Sequence, residues 1–418
     1  MIEKLYSAVV FGAFLTFGIA AQQSVDYRPP AKPDAVTETA RFLDQTDGTT
    51  ADRLVELALS GNGDLAALRK EADAADAMIK QAGLRPNPGV TVGGAEEIGG
   101  MDRRTMVEGS LPLELFGRRG ARIRVALRES EIRRAAVAEK ERLLAAEVRE
   151  KFGSALAIVM KLKFTAEMLD AATDNWMLVA ATVREGRRAP LEENLEVVEL
   201  NRLRAAFEME KGNAEIALLE LRNLAGIDPA EPLKLRGDFD NLVDDPGAAD
   251  DVTRAALRDR PDLAGARLME SLAEAIIEQA KVDSRPDAEV MAGYERMQSG
   301  FPFRGYDAAG VLRPIENTMK FFTFGVRIML PVRNRNQGMI EAATAERDAA
   351  TRRREFGEIT IRNEVATAFV RYRSAARAME IYRVGVRDQA SANLAVVRQT
   401  YELGSRTLFD YIAEQRKY

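Results

Sequence analysis

The chain contains neither cysteine nor histidine. Without cysteine it has no disulfides, no thiolate metal ligands and no N-terminal cysteine that could carry a lipid. Without histidine it lacks the most common general base in catalysis and the most common ligand of transition metals. The sequence also contains no phosphate-binding loop, nucleophile motif or metal-ligand spacing. It therefore predicts a protein that is not an enzyme and that holds no metal and no cofactor.

The chain also has little net charge and few long apolar runs. The 418 residues carry a formal net charge of −5, which gives no reason to expect nucleic acid as a partner. Beyond residue 21, no uninterrupted apolar stretch reaches the roughly 18 residues that a transmembrane helix needs. Hydrophobic residues nevertheless make up 46% of the chain, so it can bury a large core.

The N-terminus is typical of an export signal. Lys4 provides a positive start, residues 6–19 are mostly apolar, and Gly18 and Ala20 offer small residues at the two positions that a signal peptidase reads. A buried or membrane-anchoring helix is the alternative. We predict a signal peptide at 1–21, followed by an extended or disordered segment at 22–50. An exported chain without a membrane-spanning helix is expected to be periplasmic, secreted or a β-barrel.

The sequence repeats itself. Landmarks of the first half return in the second half in the same order and at similar separations. The pairs are Asp64-Leu65 with Asp262-Leu263, Gln81-Ala82 with Gln279-Ala280, Arg85-Pro86 with Arg285-Pro286, Leu111-Pro112 with Leu330-Pro331, and Gly186 with Gly404. Chance similarity between helices rich in Ala and Arg is the alternative, but it does not explain the matching separations. We predict two structural repeats at 51–226 and 252–418, joined by a linker at 227–251.

Each repeat is predicted to have the same order of elements. A first helix ends at a proline, two strands follow, and a very long helix without proline leads to a turn at a glycine. The first helices are expected near 51–83 and 252–283, the strands within 88–115 and 287–331, the long helices at 119–184 and 338–402, and a return helix at 190–225. About 65 helical residues span roughly 100 Å, a length typical of coiled coils and helical tubes.

The predicted strands alternate between apolar and polar residues. The apolar positions are Val107, Leu111, Leu113 and Leu115 in the first pair, and Phe322, Phe324, Val326, Ile328 and Leu330 in the second. This period of two is typical of a sheet with one apolar and one wet side, either in a membrane barrel or in a half-buried soluble sheet. A membrane barrel needs at least eight strands, so four strands would have to be shared among several copies.

Four segments resemble the TolC-like outer-membrane efflux proteins, with features of the branch that serves heavy-metal exporters. They are residues 50–69, Arg85-Pro86-Asn87-Pro88, residues 111–119 (LPLELFGRR) and residues 401–410 (YELGSRTLFD). The resemblance runs from about Thr50 to the C-terminus and implies a mainly α fold with a small β part. Long antiparallel helical hairpins and four strands per protomer would form a trimeric 12-stranded transmembrane β-barrel on a periplasmic α-helical barrel. The linker would form a belt, and residues 298–317 an extracellular loop.

The resemblance also implies site residues. Tyr401 and Arg406 match the pair that holds the helical tube shut, and Glu192 stands where the family has an aspartate partner. Asp410 matches an acidic constriction ring that attracts cations. Ala413 occupies the next acidic position, so the ring is expected to be single. The alternative for these residues is a solvated helix end with ordinary surface ion pairs.

A basic run opens the first long helix, just below the predicted barrel. Its members are Arg118, Arg119, Arg122 and Arg124. We expect it to be a solvated helix face, and contact with the inner rim of the membrane is the alternative.

Gly186 and Gly404 match the turns that accept a periplasmic adaptor protein, although plain helix capping would also use glycine.

The expected function is the outer-membrane channel of a tripartite efflux pump that exports small molecules or metal cations. Its expected partners are two further copies of the chain, the adaptor, an inner-membrane transporter and outer-membrane lipid. A duct for protein or peptide secretion and a soluble periplasmic coiled-coil scaffold are the alternatives. The second repeat ends soon after Gly404, so most of its return helix is missing, and the chain is either cut short or a fragment.

Overall fold

The computed structural model describes residues 38–239, 246–403, 405–406, 410–411 and 414. The predicted signal peptide at 1–21 and the tip residue Gly404 lie outside the described residues. The chain divides into two compact units. One comprises residues up to Thr39 together with Lys161–Lys211, and the other comprises Ala40–Met160 and the residues from Gly212 onward.

The two repeats contain the same series of elements. The first has α1 (Ala51–Gly61), α2 (Gly63–Ala82), β1 (Gly89–Glu96), β2 (Arg103–Pro112), α3 (Arg118–Arg184) and α4 (Pro190–Ala225). The second has α5 (Ala249–Asp259), α6 (Pro261–Asp283), β3 (Asp287–Tyr306), β4 (Leu312–Met329), α7 (Gln337–Ile381) and α8 (Arg387–Glu402). Within the described residues, no helix combines the length and the apolar character that crossing a bilayer requires.

The single helices predicted near 51–83 and 252–283 are each two helices. In the first, Asn62 leaves the helical backbone and caps α2, while its Nδ2 donates to the carbonyl of Leu224 in α4 at 3.1 Å. In the second, Pro261 opens α6. Proline lacks an N–H and fits only the first turn of a helix. A tertiary contact therefore accompanies the first break, and backbone chemistry explains the second.

The described part of the N-terminal segment is ordered against the linker, whereas the sequence predicted 22–50 to be extended or disordered. Leu43 and Thr49 each form a parallel bridge with Leu235. The N–H of Leu235 donates to the carbonyl of Phe42 at 2.8 Å, and both side chains are buried. This stretch therefore contributes to the core around the linker.

The four strands form one antiparallel sheet in the order β1-β2-β3-β4, and the β2–β3 pairing joins the two repeats. The predicted loop at 298–317 is wrong, because β3 and β4 stay paired through Phe301 and Ile315 as far as Tyr306 and Leu312. A short turn follows. The loop was expected because the second strand region is the longer one, but the additional residues lengthen the strands.

The helices α3 and α4 carry a heptad pattern. Buried residues of α3 follow in alternating steps of four and three: Val148, Phe152, Ala155, Val159, Leu162, Ala166, Leu169, Thr173, Trp176 and Ala180. In α4, buried residues recur every seven positions at Leu200, Phe207, Ala214 and Leu221. This spacing is the signature of coiled-coil packing. Ion pairs of 2.7 Å join Lys151 to Glu220 and Lys161 to Glu210, so the two helices run antiparallel in both units.

The second long helix differs from the prediction of an unbroken helix at 338–402. A π-helical segment, Tyr382–Val386, separates α7 from α8. It contains Gly385, and glycine weakens a helix because it has the most backbone freedom to lose. Beyond Ile361, none of the residues described in α7 and α8 is buried, and Val370 and Ile381 are exposed.

A carboxylate lies within the hairpin of α3 and α4. Glu196 is only 3% exposed and accepts a hydrogen bond from Nδ2 of Asn175 at 2.8 Å. Burial raises the pKa of Glu196, since the charged form is disfavoured away from water. The nearby charge of Glu199 also raises this pKa, whereas Asn175 and Arg188 oppose the increase.

The residue that joins the sheet to the helices is Arg118. Its guanidinium donates to the carbonyl of Arg285 at 2.7 Å and to the carboxylate of Asp283 at 3.1 Å. It also pairs with Asp287 at 3.4 Å, and its side chain is only 17% exposed. Arg118 begins α3, whereas its partners end α6 and begin β3. One side chain therefore connects the two repeats.

The other arginines of the basic run are also partnered. Arg119 donates to the carbonyl of Gly83 at 2.6 Å, Arg122 to the carboxylate of Glu114, and Arg124 pairs with Glu278 at 2.9 Å. Arg119 and Arg124 are exposed, as expected of a solvated face, but all four arginines also have partners within the chain. The run ties α3 to the segments that enter the sheet.

We expect Glu196→Gln to stabilise the hairpin at neutral pH by about 1 kcal/mol, the scale of one buried polar group. The variant keeps an acceptor for Asn175 and removes the buried charge. Because folding raises the pKa of Glu196, wild-type stability falls as pH rises from the unfolded pKa to the folded one, and the variant loses this dependence. Hydrogen–deuterium exchange between acidic and neutral pH measures both effects. Glu208→Gln, exposed on the same helix, is the control. An equal pH dependence in wild type and Glu196→Gln would contradict the prediction.

Replacing Arg118 should destabilise the chain far more than replacing a surface arginine on the same helix. Arg118→Gln leaves Asp283 and Asp287 without their cation, at an expected cost of about 2–3 kcal/mol. Arg133→Gln is the control, because Arg133 lies 3.7 Å from Glu71 with both side chains more than half exposed. Such a pair contributes about 0–1 kcal/mol. Denaturant unfolding of the purified protein gives both values, and equal losses would show that the junction has no special role.

Candidate functional site

The first helix tip is formed at Gly186. Its φ angle is +73°, in the left-handed region that favours glycine. The N–H of Gly186 donates to the carbonyl of Val183 at 2.9 Å, and the N–H of Arg187 to that of Thr182 at 3.0 Å. This is the Schellman ending of a helix, which satisfies carbonyls that the last turn leaves unpaired.

The second tip has the same hydrogen bonding where it is described. The N–H of Ser405 donates to the carbonyl of Thr400 at 2.9 Å, at the positions equivalent to Arg187 and Thr182. Gly404, the predicted turn residue, lies outside the described residues. The two tips therefore share a backbone pattern, and a docking role for either glycine stays a prediction.

A threonine in each tip was missed by the sequence analysis. The hydroxyl of Thr182 donates to the carbonyl of Val179 at 2.8 Å, and that of Thr400 to the carbonyl of Val397 at 3.0 Å. In both repeats the threonine stands four residues before the tip glycine, which is the signal that could have identified it. These hydroxyls bond within their own helices and leave the outer surface of the turn to the backbone.

The three predicted latch residues are distributed over the two units. Tyr401 lies in the last turn of α8, is half-buried and stacks on Tyr411, with ring centroids 5.7 Å apart and planes at 6°. Arg406 follows the tip and is exposed. Glu192, in the first turn of α4, accepts from Arg188 at 3.3 Å. Tyr401 and Arg406 belong to one unit and Glu192 to the other, so their pairing stays a prediction.

The predicted constriction residue Asp410 is helical, half-buried and directly precedes Tyr411. A ring would need several copies of the chain, so this role also stays a prediction. Ala413 lies outside the described residues. Among the residues that the structure describes, no three Asp or Glu side chains are grouped so as to hold a metal ion.

The sheet has two unlike faces. The pairing register places these residues together on one side, the apolar face: Val90, Val92, Val107, Leu111, Val290, Ala292, Tyr294, Phe322, Phe324, Val326 and Ile328. Phe322 and Phe324 are 83% and 91% exposed. Leu113 and Leu115, which the sequence placed on this face, lie beyond the end of β2. An exposed apolar surface of this extent marks a site of contact with lipid or protein.

The opposite side, the polar face, carries the ion-paired side chains of the sheet together with some apolar ones. Its charged and hydroxyl residues are Thr91, Arg104, Glu108, Ser110, Glu289, Glu295, Thr323 and Arg327, and its apolar residues include Met106, Met291, Met297, Met319 and Phe321. Arg104 pairs with Glu295 at 2.6 Å and Arg327 with Glu289 at 2.9 Å, so ion pairs cross the β2–β3 and β3–β4 ladders of the sheet. Paired charges of this kind suit a water-filled surface.

The sheet is open at both edges. Within the described residues, β1 pairs only with β2, and β4 pairs only with β3. Each edge strand therefore leaves backbone N–H and C=O groups without a strand partner. Such edges template pairing with another chain, and in a bilayer they must be closed.

Comparison with known proteins shows which family the chain resembles in sequence. The sequence model of the family described as "Outer membrane efflux protein" matches residues 54–227 and 252–418, nearly the two repeats. The cobalt-zinc-cadmium resistance protein CzcC of Cupriavidus metallidurans is 28% identical over 305 residues, which cover 72% of this chain and 67% of that protein. It agrees with the resemblance to the heavy-metal branch.

Solved outer-membrane channels share the fold. The outer-membrane channel OprN has a TM-score of 0.67 at 20% identity, covering 94% of this chain and 92% of its own. The outer membrane protein VceC of Vibrio cholerae has a TM-score of 0.65 at 14% identity, covering 88% and 89%. CusC, a protein that forms a transmembrane channel, has a TM-score of 0.61 at 19% identity, covering 88% and 86%. Since the family model matches both repeats and thus most of the sequence, the chain belongs to the Outer membrane efflux protein family.

Proposed function

We propose that three copies of this outer-membrane efflux channel share one β-barrel and form the passive exit duct of a tripartite pump. The observation that carries the proposal is the open four-stranded sheet with one apolar and one polar face. Four strands cannot close a barrel, whereas twelve can. In the duct the apolar face meets lipid and the polar face lines the water-filled lumen.

Strand lengths support this arrangement. A tilted strand needs about 9–11 residues to cross the hydrocarbon layer. β2 has 10 residues, close to this length, and its apolar-face side chains Val107 and Leu111 lie between the middle of the strand and its end nearer the helices. β3 and β4 have 20 and 18 residues, and their additional length forms a ribbon beyond the sheet at the end remote from the helices. That end faces the exterior, because the helices extend into the periplasm.

The long helices support an assembly of several copies. The single chain leaves Phe356, Val370 and Ile381 of α7 exposed. Apolar side chains at this density along a helix need a partner surface. Neighbouring copies supply it if the helices form a shared tube in the periplasm.

The helix tips support the proposed partners, and the similarity to a metal-resistance protein supports the proposed cargo. The two backbone turns with similar hydrogen bonding, at Gly186 and after Thr400, offer similar docking surfaces to a periplasmic adaptor, which connects the duct to an inner-membrane transporter. The relative named as a cobalt-zinc-cadmium resistance protein supports metal cations as cargo. An acidic ring at Asp410 favours cations over anions at the constriction. The duct catalyses no reaction and binds no cofactor.

Electron microscopy of the detergent-purified chain, averaged without imposed symmetry, tests the assembly. We expect a three-fold cylinder with a detergent belt around the sheet end. A protein that is released from membranes by salt and shows no belt would instead be a periplasmic scaffold, and the duct proposal would be wrong.

A pair of neighbouring substitutions tests the orientation of the sheet. Phe324 lies on the apolar face and Thr323 on the polar face. Phe324→Arg places a cation in lipid at an expected cost of about 2–4 kcal/mol per copy and should deplete the trimer from the outer membrane. Thr323→Arg adds the same charge to the lumen and should leave trimer yield near that of wild type. Membrane fractionation measures both, and equal depletion would overturn the assignment of faces.

The latch is tested by removing single polar groups. Tyr401→Phe keeps the ring that stacks on Tyr411 and loses only the hydroxyl, while Arg406→Ser removes the cation. If these groups hold the tube shut, each variant should raise single-channel conductance in planar bilayers by about two- to tenfold, since opening removes a weak ion pair or hydrogen bond. Tyr382→Phe, on an exposed tyrosine of the π-helical segment, is the control. Unchanged conductance in both latch variants would exclude the latch.

A further inference from the structure

A row of polar residues crosses the apolar side of the sheet where its hydrophobic part ends. Thr105 on β2 pairs with Arg296 on β3, and Arg296 pairs with Lys320 on β4. All three side chains are exposed. We name Arg296 and Lys320 the basic pair. They stand directly opposite each other on the same face.

The basic pair lies at a boundary. The next row toward the helices consists of Val107, Tyr294 and Phe322, and the rings of Tyr294 and Phe322 approach to 5.4 Å between centroids. Aromatic residues of membrane barrels gather where hydrocarbon gives way to lipid headgroups. The side chains of the basic pair therefore begin at headgroup level, on the side remote from the helices.

The basic pair is not neutralised by the protein. Like charges directly opposite each other on neighbouring strands destabilise a sheet. Within the described residues, neither Arg296 nor Lys320 forms an ion pair, whereas Arg103, in the next row of the same face, pairs with Glu96 at 2.5 Å. The arginines of the polar face, Arg104 and Arg327, also have carboxylate partners. An external anion bound between the two cations would offset the repulsion.

We propose that Arg296 and Lys320 bind a phosphate group on the headgroup of an outer-leaflet lipid. Opposed residues have Cβ atoms about 4.5–5.5 Å apart, so both cations can reach one phosphate. Arginine supplies a planar fork of donors and lysine a mobile point charge. The acyl chains of the same lipid lie against Tyr294 and Phe322, which a free phosphate ion cannot do, so a lipid is the occupant. The inference rests on the proposed function, because it requires the apolar face to meet lipid.

The test uses native mass spectrometry of the full-length trimer in mild detergent. The probes are lipid A with two phosphates, its dephosphorylated form and inorganic phosphate. We expect the wild-type trimer to bind the phosphorylated lipid about tenfold more tightly than the dephosphorylated one, the scale of one charge-assisted contact. The double variant Arg296→Gln/Lys320→Gln should lose this preference.

Arg103→Gln is the matched control. It removes a cation from the same face, in the row next to the basic pair, but Glu96 already neutralises this cation. The control should change binding by less than about twofold, as expected for an exposed ion pair. An equal loss in the control, an equal affinity for the dephosphorylated lipid, or full displacement by inorganic phosphate would each overturn the proposal. If the double variant does not assemble, the two single variants are measured, and unchanged binding in both has the same meaning.

The outcomes also separate this inference from the duct. A belted trimer without phosphate-dependent lipid binding overturns the inference alone. A wild-type chain that forms no belted trimer overturns the proposed duct, and the lipid site with it.

Discussion

The guanidinium of Arg118 makes the central connection between the sheet and the helices, because it contacts both the end of α6 and the start of β3. It joins the start of α3 in the first repeat to Asp283, Arg285 and Asp287 in the second. These contacts fix where β3 begins relative to α3, and the β2–β3 ladder then sets the register of the sheet. A shift of one residue would exchange the apolar and polar faces, because side chains alternate along a strand.

The fixed register gives the channel its two surfaces. The apolar face ends at the row of Tyr294 and Phe322, and the polar face is neutralised internally by the pairs of Arg104 and Arg327 with glutamates. The open edges of β1 and β4 are available to pair with strands of neighbouring copies, and a bilayer requires this pairing because it does not tolerate unpaired backbone groups. The proposed lipid contact, lumen and oligomer thus all depend on one sheet.

The two repeats are most alike in the order of their elements and at the helix tips, and they differ in the lengths of their strands and in their long helices. The described parts of the tips share one backbone bond, from Arg187 to Thr182 and from Ser405 to Thr400, and the threonine hydroxyl bonds at Thr182 and Thr400. The second repeat, however, has longer strands and a π-helical segment in its long helix. The parts that are alike include the proposed docking end, and the parts that differ are the paired extension of β3 and β4 and the second long helix, which is mostly exposed beyond Ile361.

The sequence by itself determined the two repeats, the long helices and the alternation of the strands, because these patterns are local and periodic. Matching landmarks such as Leu111-Pro112 and Leu330-Pro331, together with the tip motif at 401–410, were also sufficient to identify the family. Only the tertiary structure decided the break at Asn62, the partners of Arg118, the burial of Glu196 and the opposition of Arg296 and Lys320. Each of these depends on contacts between residues far apart in the chain, which periodicity along one segment does not contain.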